Sequence, residues 1–198
     1  MAYTPCSQNV VSQNIATDCN VQRVKGYEPL GIGIRRDDID FALSTVDASN
    51  PRLIGDIKLL AGKKTFVIYN DKNNPLPFDG TQTVYNRDEN QYDKTVQFYY
   101  EGIGAESSKT VVEGLKDDNY VIILPRKDHN GKGAFQVFGW QHGLSCGNEG
   151  GAQVQDETTG YWLMTMTCRE KFAGFELTDS ASYIDSKALF DALKALSY

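Results

Sequence analysis

The chain has 198 residues, 40% of them hydrophobic and 23% charged, which is enough for one domain with a buried core. Its formal net charge of −6 excludes a protein that grips nucleic acid by neutralising phosphates, although an acidic wall suits DNA that must slide past without sticking. Eleven Tyr and nine Phe against two Trp favour a β-rich body, because such rings pack well on pleated sheets.

Residues 1–26 are rich in Ser, Gln, Asn and Thr and bury little of themselves, so they read as a polar arm ordered against a neighbour or as a frayed tail. Met1-Ala2-Tyr3-Thr4-Pro5 carries neither the basic nor the apolar part of a secretion signal. No stretch approaches the roughly eighteen apolar residues of a membrane span, and the expectation is a protein made in the cytoplasm. Leu30, Ile32 and Ile34 alternate with Gly31 and Gly33, a half-buried strand, and the alternation resumes through Ile39, Phe41 and Leu43. After a loop from Ser44 to Pro51, residues 53–60 and 65–70 read as two strands joined by a hairpin turn at Ala61-Gly62-Lys63-Lys64. The stretch 71–93 is the longest irregular piece, with two prolines near its start and only a brief extended segment, 81–85. Loops of that length inside a compact domain are often functional.

Residues 95–100 form a strand-like run, and 107–116 an amphipathic helix with Val111, Val112 and Leu115 on its apolar stripe. The apolar run 120–125 turns through Asn130-Gly131 and returns as 134–140, a hairpin whose turn has the residues that positive backbone angles need. The glycine-rich stretch 141–160 reads as loop. It is followed by a strand at 161–168 with Trp162, Met164 and Met166 on one face, and by a short strand within 172–177. Asp185 or Ser186 caps a final helix with Leu189, Leu193 and Leu196 on one stripe and Phe190 beside it. The resulting division is a polar arm (1–26), a β-rich domain (27–180) with its long loop at 71–93, and a C-terminal helix (181–198).

No constellation of residues converges on a reaction. His129 falls in the predicted turn, where exposure is ordinary. His142 and Cys146, four apart, offer the two parts of a thiol dyad without an evident orienting group; a small thiol hydrolase built on them is the distant alternative. Cys6, Cys19, Cys146 and Cys168 include no C-x-x-C pair and are expected as free thiols. His142, Cys146 and Cys168 have ligand chemistry but no recognised metal spacing. The pairs Gly31/Gly33 and Gly131/Gly133 lack the third glycine and the helix of a phosphate cradle. Neither a catalytic residue, a metal nor a cofactor is therefore expected.

Several features together carry a resemblance: Asp18-Cys19, the strand Gly31-Ile32-Gly33-Ile34, the run Leu59-Leu60-Ala61-Gly62-Lys63-Lys64, the strand–helix–strand centre, and Phe138-Gly139-Trp140-Gln141-His142-Gly143-Leu144. Over about residues 18–177 the chain resembles tail tube (major tail) proteins of phages and prophages of gut Bacteroidetes. The resemblance implies a mainly β, α+β chain: a β-sandwich or half-barrel with a flanking helix, tail-tube-like. It also implies a structural virion subunit, made in the host cytoplasm, that assembles with itself into stacked hexameric rings. Other tail proteins would be its partners, and genome DNA would pass through without sequence-specific binding. A head-to-tail connector ring, a tail terminator and a capsid decoration protein remain the alternatives. On this reading the irregular loop is the inter-subunit contact, through Asn73, Asn74, Pro75, Leu76, Pro77, Phe78, Tyr85 and Tyr92.

Overall fold

The computed structural model describes residues 26–70, 77–102, 104–128, 133–146, 152–156, 161–178 and 182–198. The polar arm up to residue 25, and His129 with most of its turn, lie outside the described residues. The fold mixes strands and helices, with two sheets and two helical segments, at 105–117 and Tyr183–Ala195.

Strand β7 (Tyr120–Pro125) is buried at every position and sits inside a seven-stranded sheet. The other members are β1 (Leu30–Arg35), β2 (Thr45–Val46), β3 (Leu53–Asp56), β4 (Phe66–Tyr69), β8 (Phe135–Phe138) and β12 (Phe175–Leu177), in the spatial order β2-β3-β12-β8-β7-β1-β4. Alternation sends Val121 and Ile123 to one side, where Ile32, Ile34, Phe135, Val137 and Leu177 meet Phe190 and Leu193 of the C-terminal helix. It sends Tyr120, Ile122 and Leu124 to the other side, against the second sheet. A strand covered on both faces has no solvent face to make polar, and that is why 120–125 reads as a continuous apolar run.

The second sheet comprises β5 (Gln82–Asn86), β6 (Gln91–Tyr100), β10 (Ala152–Asp156) and β11 (Tyr161–Glu170) in the order β10-β11-β6-β5, with β9 (Ser145–Cys146) also paired to β11. Its long central pair runs antiparallel from Trp162↔Tyr100 to Glu170↔Tyr92. Val96, Phe98, Met164 and Met166 face inward and share one apolar layer with Ile122, Leu124 and Phe138 of the first sheet. Neither sheet closes into a barrel: each has two end strands among the described residues.

The hairpin around the 126–134 turn forms as expected, with Ile122 opposite Phe138 and Pro125 opposite Phe135. Other expectations need correction. β3 and β4 do not pair across Ala61–Lys64; β3 lies between β2 and β12, while β4 pairs with β1. Hydrophobic pattern cannot show which strand becomes the partner. The alternation beyond Ile34 breaks into a 3₁₀ turn at Arg36–Asp38, and Phe41 ends in a turn with its ring 5.1 Å from that of Trp140. The irregular loop is shorter than 71–93: Gln82–Asn86 and Gln91–Tyr100 pair as a hairpin, its turn admitting a positive φ of 54° at Asn90. The expected loop at 141–160 includes β9 and β10, whose polar residues pair at a sheet margin. The C-terminal helix is capped by Ser182, whose hydroxyl accepts the Ile184 N–H, rather than by Asp185 or Ser186. The first helical segment contains a π-helical turn at Ser108–Glu113, with Val112 and Leu115 buried as the stripe requires.

Gly139 lets the chain leave β8 and double back so that Leu144 pairs with Tyr120. Its φ is +80°, and a Cβ there would stand 2.5 Å from the Tyr120 carbonyl oxygen. Gly62 has a similar φ of +75° with open space around the same position. Gly62→Ala should therefore cost only the backbone strain, about 1 kcal/mol, and Gly139→Ala about 2–4 kcal/mol. Urea denaturation of the two variants checks the difference; equal losses would contradict the packing described for Gly139.

Candidate functional site

Of the eight residues expected to form an inter-subunit contact, Asn73, Asn74, Pro75 and Leu76 lie outside the described residues. Pro77 and Phe78 are placed differently from an exposed loop. Both are buried in the subunit's own core, the Phe78 ring edge-on to Tyr27 at 6.4 Å and close beneath Gly31. Phe78 adopts a left-handed φ of 59°, uncommon for an aromatic residue. Tyr85 and Tyr92 do stand together, ring centroids 5.2 Å apart, on the β5–β6 hairpin.

The outer strand of that hairpin, β5, is largely exposed. Four of the five β5 residues are exposed, Val84 at 49% and Tyr85 at 50%, and no strand pairs with β5 on its outer side among the described residues. Polar contacts tie the hairpin's two strands together: Tyr85 Oη donates to Asn90 Oδ1 (3.0 Å), and Asn86 Nδ2 to Asp93 Oδ2 (3.2 Å). Arg169 on β11 reaches Glu89 (3.1 Å) and Asp93 (3.2 Å).

The residues expected as a thiol dyad are set differently. Cys146 is buried, and its thiol donates to the Thr165 carbonyl at 3.4 Å, whereas His142 is exposed. His142 instead helps to line a polar cleft of about 530 Å³ with Asn119, Ser145, Thr167, Cys168 and Arg169. Burial, with the charge of Glu170 next, pushes the Cys168 thiol up to about 12, so at neutral pH it is a protonated thiol and a poor nucleophile. No three His, Cys, Asp or Glu side chains among the described residues gather as metal ligands.

Beneath the cleft lies a feature that residue spacing did not announce. Lys94, 1% exposed, and Glu170, 0% exposed, form an ion pair between β6 and β11. The Lys94 ammonium also lies 4.9 Å from the Phe175 ring centroid and 5.9 Å from that of Phe138. Glu170 accepts the Gln141 N–H (2.9 Å), and the Gln141 side chain in turn accepts the Lys171 N–H (2.9 Å). The Gln141 carbonyl takes a hydrogen bond from Arg36 (2.7 Å). The pair thus pins the second sheet to the loop that leaves β8. Its sign in the sequence was a lysine in phase with inward-facing Val96 and Phe98.

A second and larger groove, about 780 Å³, runs where β4 of the first sheet approaches the end of β6. Comparison of the chain with protein-family models, curated proteins and solved structures finds no match to any of them. Among the described residues, no helix is long and apolar enough to cross a membrane.

Removing one partner of a buried ion pair strands the other charge. Lys94→Met should cost about 3–5 kcal/mol by urea denaturation, and adding Glu170→Leu should restore about half of the loss or more. A single variant as stable as the parent would show that the pair does not hold the sheets.

Burial also raises Tyr27 and Tyr120 from 10.0 to about 12, as it raises Cys168 from 9.0. The folded chain holds these three protons more tightly than the unfolded one. Their stabilisation is therefore complete below pH 9 and lost as pH rises from about 9 towards 12. Urea midpoints should fall across that window, and Cys168→Ala should delay the onset of the fall. At pH 8, iodoacetamide should leave Cys168 intact until denaturant is added.

Proposed function

We propose that the protein is a structural subunit that assembles with copies of itself, and that its assembly is a virion tail tube of stacked rings around a DNA channel. The observation that carries this reading is the β5 edge, on which no strand pairs among the described residues, with Val84 and Tyr85 half exposed on a hairpin that Arg169 of β11 contacts. An open strand edge is a template for another chain, and monomeric proteins usually shield such edges with lysines, prolines or bulges. β5 reads Gln-Thr-Val-Tyr-Asn and has none of these shields. Two sheets packed through a shared apolar layer, with a helix on the outer face of one, agree with the sandwich-like, tail-tube-like architecture expected from the resemblance. Repetition of one subunit around a ring would pair the edges that each subunit leaves open. The net charge of −6 suits a lumen through which DNA moves without sticking.

Light scattering and negative-stain microscopy of the purified protein test the reading. Rings or tubes are the expected result, and the double substitution Val84→Lys/Tyr85→Lys should raise the concentration needed for assembly at least tenfold while shifting Tm by only a few degrees. A strictly monomeric parent protein at high concentration would overturn it.

A further inference from the structure

The groove between β4 and β6 differs from a pocket on a sheet face. All four β4 residues, Phe66, Val67, Ile68 and Tyr69, line it together with Asn70 just beyond the strand, and so do the last three residues of β6, Phe98, Tyr99 and Tyr100, with Glu101 and Gly102 after them. A sheet face presents only every second residue. Lining by unbroken runs means that the groove follows the two strands' edges.

The backbone hydrogen bonds give the direction of each edge. Asn70 N–H reaches Pro29 on the β1 side (2.8 Å), and Thr65 N–H reaches Leu196 on the opposite side (3.3 Å). Alternation then turns the N–H and C=O of Val67 and Tyr69 away from β1, into the groove. On β6, the Gln97 N–H reaches Thr81 Oγ1 (3.3 Å), on the side away from β11. β5 pairs only with Gln91–Thr95, so the backbone of Tyr99 is presented on that same side with no strand beside it among the described residues. The two sheets thus bring open backbone edges to one groove, whose remaining wall includes Val111, Gly114 and Leu115 of the first helical segment, Tyr120, and Tyr198, whose ring lies 5.2 Å from the Lys64 ammonium.

Three further observations indicate what fits between them. Thr65 already forms a parallel bridge with Ser197, so the β4 edge accepts a strand at its first position, and a strand continuing along it would run parallel to β4. Asn70 is only 6% exposed and lines the groove, and its side-chain Nδ2 has no hydrogen-bond partner among the described residues. Leaving such a donor unpaired is costly unless something else supplies an acceptor. Lys64 and Glu101 also line the groove, and neither has an ion-pair partner among the described residues.

We infer that this groove receives an extended polypeptide strand from another protein chain, added parallel to β4 by backbone pairing. Its carbonyls would take the N–H groups of Val67 and Tyr69 and the orphan amide of Asn70. Apolar side chains at alternate positions would lie against Phe66, Tyr120, Val111 and Leu115. A carboxylate near its start and a cation near its end would complement Lys64 and Glu101. The site is separate from the β5 edge and does not depend on the proposed assembly.

The probe is a fluorescein-labelled peptide of alternating valine and threonine with a glutamate near its start and a lysine at its end. It is titrated into the full chain at a dilution where scattering shows only monomer. Saturable binding is expected, with slowed amide exchange at Val67 and Tyr69. Val67→Pro deletes a groove-facing N–H while sparing the β1 ladder, and should weaken binding at least tenfold. Gly114→Trp should do the same by filling the groove, since a Cβ at Gly114 meets nothing within 4 Å. Val84→Lys, on the far hairpin, should leave binding unchanged. Absence of binding to the parent chain, or binding that neither groove variant weakens, would overturn the inference. Failure of the chain to assemble would leave the peptide result standing.

Discussion

The organisation of this protein follows from one strand having no solvent face. β7 is buried on both sides, so its sheet must be covered twice: by Phe190 and Leu193 of the C-terminal helix over Ile32, Val121 and Val137, and by the second sheet over Ile122, Leu124 and Phe138. Burial of apolar side chains at roughly 25 cal/mol per Å² makes such a strand a strong organiser, provided that both covers are in place. The consequence is a layered molecule in which the first sheet is covered on both faces and the second ends, among the described residues, at β10 and β5.

The buried Lys94–Glu170 pair has a different part. Apolar layers can slide, and a charge pair that must meet inside them cannot, because a slip would strand an ion in a medium that solvates it poorly. Through Gln141 and Arg36 the pair couples the register of β6 and β11 to the loop leaving β8 and to the turn after β1. The hairpin β5–β6 and the groove beside β4 inherit their positions from that register. The rigid centre is thus what presents the open edges in a definite geometry.

Both proposed interaction regions are strand edges, and they differ in chemistry. The β5 edge is exposed along a hairpin and has flanking Tyr85 and Val84, which suits a broad contact between whole subunits. The groove between β4 and β6 is recessed, walled by aromatic rings and supplied with one unpaired amide, which suits a single inserted strand. Neither region depends on a titrating side chain, a metal or a nucleophile. The polar cleft with His142 holds a thiol that burial keeps protonated.

What residue order determined by itself was local. The doubly covered β7, the hairpin through 126–134, the inward face of Trp162, Met164 and Met166, the stripe of Val112 and Leu115 and the terminal helix are all set by periodicity within a few residues of one another. Partner choice belonged to the tertiary structure. That β3 pairs with β12 and not with β4, that polar 82–93 becomes a hairpin, and that Phe78 turns inward under Gly31 each depend on surfaces brought from far along the chain. The buried ion pair and the groove were hidden for the same reason. Lys94 and Glu170 are 76 positions apart (170 minus 94), and the two edges that form the groove come from different sheets. A pattern along one strand records which way its side chains point, whereas the identity of what they meet is fixed only when the layers close.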